Sequence, residues 1–322
     1  MIREKIDIHN TSKRYHQAIE TLKTDKTISA KNKQLIIQFL RDAELGKTVL
    51  KKQKKKIGKR ACLKYLYLLK TSVRFLRKDF DMVTKEDMTD FIYSLEDDAL
   101  LKKNRTSYTS ETKKDIKVAL KKFYKWLLGK NEECPSIVKW LDTSIEQKDY
   151  LALTEKQIEN VAKEAKSILD KAFVSILFDL GARIEEFLNV KKEDVIIEKE
   201  GYKIKILFSK TFSRTLPLDR SIEHLKKWLE IHPKHDGQLF PLTYNQCSAK
   251  LKRLGKQTLG IPITPQIIRH SKATQLAQAG VGRYQMCEWM GWAMSSKMPD
   301  RYIRREGIDN QKTLEEIQRK RQ

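Results

Sequence analysis

Four short stretches of the chain hold residues able to work on a phosphate ester. Arg183 and Glu186 stand one helical turn apart in Leu180-Gly181-Ala182-Arg183-Ile184-Glu185-Glu186-Phe187-Leu188. Lys210 lies in Ser209-Lys210-Thr211-Phe212-Ser213-Arg214-Thr215-Leu216-Pro217-Leu218. Gln266, Arg269 and His270 share Thr264-Pro265-Gln266-Ile267-Ile268-Arg269-His270-Ser271-Lys272-Ala273-Thr274-Gln275-Leu276. Met290-Gly291-Trp292 is followed by Ser295-Ser296-Lys297-Met298-Pro299-Asp300-Arg301-Tyr302. Cutting a phosphodiester without a metal needs a nucleophile, positive charge and donors around the non-bridging oxygens, and an acid for the leaving oxygen. Arginine suits the second task because its planar fork matches phosphate geometry. With 66 Lys and Arg residues, composition does not choose among the cations. Taken alone, Arg183 and Glu186 read as a surface salt bridge. Lys210 alone reads as a solvated turn lysine, and Tyr302 as a core or surface tyrosine.

In this order the four strings resemble the tyrosine recombinase (phage integrase) family. The first is similar to that family's Gly-x-Arg-x-x-Glu box, the second to its lysine-bearing β-hairpin turn followed by Arg-x-x-Pro-Leu. The third resembles the Thr-Pro-His-x-x-Arg-His box, and the fourth the Gly-His or Gly-Trp pair that precedes the nucleophile. The wording of the last is most like integrases of archaeal viruses, plasmids and proviruses. The resemblance implies that Tyr302 attacks a backbone phosphate to give a 3′-phosphotyrosine, without metal, ATP or other cofactor. It implies that Arg183 and Arg269 grip the phosphate, that Trp292 donates its indole N–H, and that Lys210 protonates the leaving 5′ oxygen. Glu186 would hold Arg183. The third box departs from the pattern, with Gln266 where the family has His or Lys. Glutamine donates a hydrogen bond to a phosphate but exchanges no proton near neutral pH. His270, next to Arg269, is the candidate to compensate for Gln266, but it lies about 100° around the helix from Arg269, and the favoured reading is a structural histidine. Two other readings stay open: a type IB topoisomerase that relaxes supercoils, and a DNA-binding relative that has lost catalysis.

These residues need elements to position them, and the patterning is mostly helical. Residues 1–28 form a basic segment of weak periodicity, expected to be mobile. Over 29–130, apolar stripes at helical spacing (Ile36, Phe39, Leu40; Leu63, Leu66, Leu69, Val73; Phe91, Ile92, Leu95; Ile116, Leu120, Phe123, Leu127) make a helical bundle. By resemblance it is the core-binding, SAM-like DNA-binding domain. Residues 131–150 read as the linker. Thr154-Glu155-Lys156-Gln157 has capping-box spacing and starts a second domain over 151–306. Strand patterns occur only at 195–218: Val195–Ile197, a turn at Glu200-Gly201, Tyr202–Phe208 and Thr215–Leu218. The second domain is thus mostly α with a small antiparallel sheet, as the resemblance to a recombinase catalytic domain implies. A tail, 307–322, carries a short helical pattern.

Hydrophobic residues make up 40% of the chain, enough for buried cores. The formal net charge is +24, an imbalance that points to a polyanionic partner. The basic residues at Lys54, Lys55, Lys56, Lys59, Arg60 and Lys64 are candidates for tracking DNA phosphates. No run of about 18 apolar residues and no secretory signal is seen, so a cytoplasmic protein bound to double-stranded DNA is expected rather than a membrane one. The four cysteines are dispersed, which implies isolated thiols and no structural metal. Recombination of the family type further implies a tetramer on two DNA sites, with the two domains closing on each duplex.

Overall fold

The computed structural model describes residues 3–48, 56–102, 104–129, 133–144, 149–233, 237–306 and residue 318. Two compact units emerge. One is bounded by Asn10 and Lys148; the other joins the first nine residues to the chain from Asp149 onward.

The first unit is helical: α1 (Thr11–Thr24), α2 (Ala30–Glu44), α3 (Lys59–Leu76), α4 (Lys85–Glu96), α5 (Ser110–Leu127) and the short α6 (Ser136–Lys139). Hydroxyl caps set the starts. Ser29, Thr84 and Thr109 each accept a backbone N–H of the first turn, and Asp87 returns a bond to Thr84 in a capping box. Phe39, Leu66, Phe80 and Phe123 lie at the core, and Tyr124 satisfies its buried hydroxyl by donating to Phe80 O at 2.9 Å.

Two expectations change here. The segment 1–28 is not a loose arm. Tyr15, Ala18 and Leu22 form a narrow buried stripe by which α1 packs along α3, and their charged neighbours hide that stripe in the sequence. The linker also starts later than residue 131, because Ile137, Val138 and Leu141 belong to the helical core. Of the basic candidates, Lys56 and Arg60 are exposed and Lys59 is half-buried beside His16. Lys64 is exposed and pairs with Asp115 at 2.6 Å. Lys54 and Lys55 lie outside the described residues.

The second unit contains α7 (Glu155–Glu164), α8 (Ile168–Leu180), α9 (Ile184–Phe187), β1 (Val195–Glu198), β2 (Gly201–Ile206), β3 (Arg214–Pro217), α10 (Ile222–Ile231), α11 (Tyr244–Leu259), α12 (Pro265–Gln278), α13 (Arg283–Met290) and α14 (Met298–Glu306). The Thr154–Gln157 capping box opens α7. The apolar run in α8 is buried on nearly every side, against α7, α10 and α12. The strands form one antiparallel sheet in the order β1-β2-β3, with Val195 opposite Ile204 and Ile206 opposite Arg214. Residues 3–9 belong to this unit. Arg3 donates through both Nη atoms to Asp194 at 2.7 Å, and Ile6 N donates to Asn189 Oδ1 at 2.7 Å. Beside the main core lies a smaller cluster of Ala273, Leu276, Met286, Cys287, Met290, Trp292 and Tyr302. Among the described residues no helix is long and apolar enough to cross a membrane. Of the tail, only residue 318 is described.

Candidate active site

The site is built on the C-terminal end of α13. A helix end leaves its last carbonyls without intrahelical donors and carries partial negative charge. Here three arginines, from the turn between α8 and α9, from β3 and from α12, meet three successive carbonyls. Arg214 Nε donates to Trp289 O at 2.8 Å, Arg269 Nη2 to Met290 O at 2.6 Å, and Arg183 Nη1 to Gly291 O at 3.0 Å. Gly291 ends the helix at φ 58°, in the left-handed region that favours glycine. A Cβ there would come within 2.5 Å of Arg214 Nη1.

Arg183 reaches this point because Gly181 turns the chain at φ 55° after α8, while its N–H still bonds to Leu177 O and Phe178 O. A Cβ on Gly181 would meet Lys272 Cγ at 2.8 Å. Gly181 O in turn accepts from Arg269 Nη1 at 2.7 Å, which ties α12 to the α8 turn. Among the described residues Arg269 therefore spends two of its five N–H groups on carbonyls.

Glu186 holds the cluster together. Its side chain is 3% exposed and its two oxygens accept four bonds. Oε1 accepts from Arg183 Nη1 at 2.8 Å and Ser209 Oγ at 2.9 Å. Oε2 accepts from the Arg183 backbone N–H at 3.1 Å and Arg214 Nη2 at 2.9 Å. Burial pulls the Glu186 carboxyl upward, but the Arg214 and Arg183 guanidiniums outweigh it and hold the group below its ordinary value. Burial first, then the like charge of Arg183, pushes Arg269 down to about 9, so it stays cationic at neutral pH. Three guanidiniums against one carboxylate leave a positive site with donors to spare, the electrostatics an anion such as phosphate requires.

A stability prediction follows from this carboxylate. Glu186→Gln places an NH₂ against an N–H donor whichever way its amide turns, and should cost about 3–5 kcal/mol, the range for breaking a buried ion pair. The folded-state carboxyl lies below its unfolded value, so its contribution is full above the ordinary carboxylate range and is lost as pH falls through the folded value. Urea unfolding of both proteins should thus show a wide gap at pH 7 that narrows toward acid. An equal gap at both ends would contradict the ion-pair account.

Tyr302, on α14, is 1% exposed. Trp292 stacks on it at 5.6 Å and 17°, with the Arg269 guanidinium 5.6 Å from the centre of the Trp292 ring. Tyr150 packs on the Tyr302 ring at 4.9 Å. The Tyr302 hydroxyl lies 2.6 Å from His270 Nδ1, and the far nitrogen of that imidazole, Nε2, lies 3.2 Å from Gln266 Nε2. The 100° step between Arg269 and His270 is real, and it serves both. One side of α12 faces the arginine cluster, while the next position faces α14. His270 is therefore not the plain packing residue expected from the sequence. Gln266 is exposed and bonds to His270.

Lys210 is exposed in the connection between β2 and β3. Its two neighbours are anchored to the cluster, Ser209 through Glu186 and Thr211 Oγ1 through Gly291 O at 3.1 Å. The structure thus gathers Arg183, Glu186, Arg269, His270, Trp292 and Tyr302, with Gln266 and Lys210 at the edges. Sequence reasoning passed over Arg214 and Tyr150. For Arg214 a signal existed: it stands two residues before Leu216 and four before Leu218, so extending the strand by one residue puts its charge on their apolar face. Tyr150 carried none, since a lone aromatic before a helix has no periodic partner. Among the described residues no group of His, Cys, Asp or Glu is placed to hold a metal ion.

Comparison with known proteins identifies the family. Residues 151–307 match the phage integrase family. The tyrosine recombinase XerA of Saccharolobus solfataricus is 30% identical over 235 residues, covering 70% of this chain and 77% of the relative. XerA of Pyrococcus horikoshii is 26% identical over 239 residues, 68% and 80% of the two chains. Among solved structures, XerH site-specific recombinase bound to a palindromic difH substrate in a post-cleavage complex aligns with a TM-score of 0.64 at 19% identity, covering 98% of this chain and 97% of that one. A lambda integrase tetramer bound to a Holliday junction aligns at 0.65 with 15% identity, over 86% and 78%. These two likenesses show the fold.

Proposed function

This chain belongs to the phage integrase family of tyrosine recombinases, and from that premise we propose how its residues divide the work of site-specific DNA recombination. The carrying observation is the set of three guanidiniums held on one helix end beside a buried tyrosine hydroxyl. A scissile phosphate of duplex DNA docks on Arg183 and Arg269. Arg214, spent on Glu186 and Trp289 O, positions rather than binds. Tyr302 attacks the phosphorus, a 3′-phosphotyrosine forms, and the 5′ oxygen leaves with a proton from Lys210. Trp292 donates to a non-bridging oxygen. The ester stores the energy of the broken bond, so a 5′-hydroxyl from a partner strand reverses the step and exchanges strands. Four protomers on two DNA sites complete the reaction, a reading supported by the tetrameric assembly of the lambda integrase neighbour.

The test begins by selecting bound duplexes from a random-sequence pool with the Tyr302→Phe protein. Two labelled duplexes carrying the selected site are then mixed with the wild-type protein. Crossed products, and a complex with the mass of four protomers and two duplexes, are expected. Relaxation of a supercoiled plasmid without the site, and no crossed products, would favour the topoisomerase reading instead. The Lys210 role has its own check. Lys210→Ala should slow cleavage by roughly 100-fold, as loss of a general acid does. A 5′-bridging sulfur, which leaves without a proton, should restore most of that loss. Failure of sulfur to restore it would remove Lys210 from the acid role.

A further inference from the structure

Replacing the usual histidine by Gln266 leaves open what takes the proton from Tyr302, since an amide exchanges none near neutral pH. We propose that His270 is the proton acceptor for Tyr302 and that Gln266 is its positioning residue, holding the imidazole in the tautomer that can accept. The proposal rests on Tyr302 being the nucleophile. In the step, the Tyr302 O–H bond breaks as its oxygen bonds to phosphorus. The proton passes to His270 Nδ1, and the bond from phosphorus to the 5′ oxygen breaks. In the reverse step the departing tyrosine oxygen recovers that proton from Nδ1–H.

Geometry is the first support. The 2.6 Å separation between Nδ1 and the hydroxyl is a hydrogen-bond distance, and among the described residues His270 is the hydroxyl's hydrogen-bond partner. The imidazole is held in place rather than loosely packed. Tyr150 stacks on it at 4.7 Å and 20°, while the same ring covers Tyr302. Tyr150 is itself held by Arg305, which donates to its carbonyl at 2.6 Å, with Arg301 and Arg305 over its ring.

Tautomer chemistry is the second. Nδ1 accepts only if Nε2 carries the proton, and an Nε2–H needs an acceptor. Gln266, one turn before His270 on α12, lies at Nε2 at 3.2 Å. A half-turn of its amide exchanges nitrogen for oxygen with no change of shape and presents Oε1 to Nε2–H. That oxygen accepts equally well once the ring is doubly protonated, so it serves the imidazole before and after the transfer. Base and orienter then form the linear arrangement that activates nucleophiles elsewhere, with an amide in the third position.

The electrostatics place a condition on the step. Burial first, then Arg301, Arg269 and Arg305, pushes His270 down to about 4, so the ring is neutral at pH 7 and its lone pair is free. Burial and Tyr150 push the Tyr302 phenol up to about 12. Without DNA the proton therefore stays on Tyr302. A phosphate docked on the arginines brings negative charge that offsets the cations depressing His270, and raises its basicity when the target is present.

The experiment uses the full chain and a nicked duplex of the selected site, reading covalent adduct per single turnover. His270→Ala should slow adduct formation by roughly 100-fold or more while DNA affinity changes little. Added imidazole should recover at least about a tenth of the wild-type rate by entering the space left by the ring. A 5′-bridging sulfur should not restore this variant, because it relieves only the leaving group. Gln266→Ala should lose about tenfold and be restored less by imidazole, since its base is present but misoriented. Adduct formation by His270→Ala at the wild-type rate would overturn the proposal. So would a loss that imidazole leaves untouched, which marks a structural role. A Tyr302→Phe adduct, by contrast, would overturn the nucleophile reading beneath it.

Discussion

Tyr302→Phe should bind the selected duplex as tightly as the wild-type protein and form no covalent adduct with it. The substitution removes one oxygen and leaves the ring. Stacking on Trp292 and packing against Tyr150 are made by the ring faces, so they persist. The lost hydroxyl frees one hydrogen bond to His270, worth about 1 kcal/mol to the fold. Loss of a covalent nucleophile, by comparison, costs roughly 10⁴-fold or more in rate. A denaturing gel after incubation with the nicked site separates the two effects, since only a covalent complex survives. A slow band of wild-type intensity would remove Tyr302 from the reaction. Tighter binding of the same duplex by the wild-type protein would instead mean that the hydroxyl itself contacts the duplex.

Arg269→Ala should lose both the phosphate grip and part of the site's framework. One preorganised donor to a developing charge is worth roughly 10²–10³ in rate, and among the described residues only two of the five Arg269 N–H groups are used, both on carbonyls. The second effect is local. Gly181 O and Met290 O lose their donor together, and the α8 turn loses its tie to α12. Arg269→Lys should recover little, because one ammonium lacks the fork that spans both carbonyls. Single-turnover rates for the three proteins, with their unfolding midpoints, check this. A lysine variant within about tenfold of wild type would show that charge alone is enough and that the bidentate geometry is incidental.

Most of the secondary structure was legible because its causes are local. The capping boxes at Thr84 and Thr154, the apolar run of α8 and the hairpin turn before Gly201 each declare themselves within a few residues. What was misread depended on partners distant in sequence. The buried stripe of α1 is only Tyr15, Ala18 and Leu22, and means little until α3 is beside it. Ile137 and Val138 look like ordinary linker residues until the helical core closes over them. Arg3 is one more terminal cation in the sequence, yet it forms a two-pronged pair with Asp194.

For the candidate site the division is similar. The sequence by itself determined the residue types and their order: two arginine boxes, a lysine between strands, and a tyrosine after Gly291-Trp292. It also determined the anomaly at Gln266, because that is a matter of one residue's chemistry. Only the tertiary structure decided what those residues are attached to. No sequence spacing indicates that Arg183, Arg214 and Arg269 share the carbonyls of residues 289–291, since the three arginines come from a turn, a strand and a helix far apart in the chain and the carbonyls from the end of another helix. Nor does it indicate that neighbours one position apart on α12 face the arginine cluster and the tyrosine respectively. The helical step of about 100° separates their directions, but the placement of α14 is what turns the second direction into a 2.6 Å contact between His270 and Tyr302.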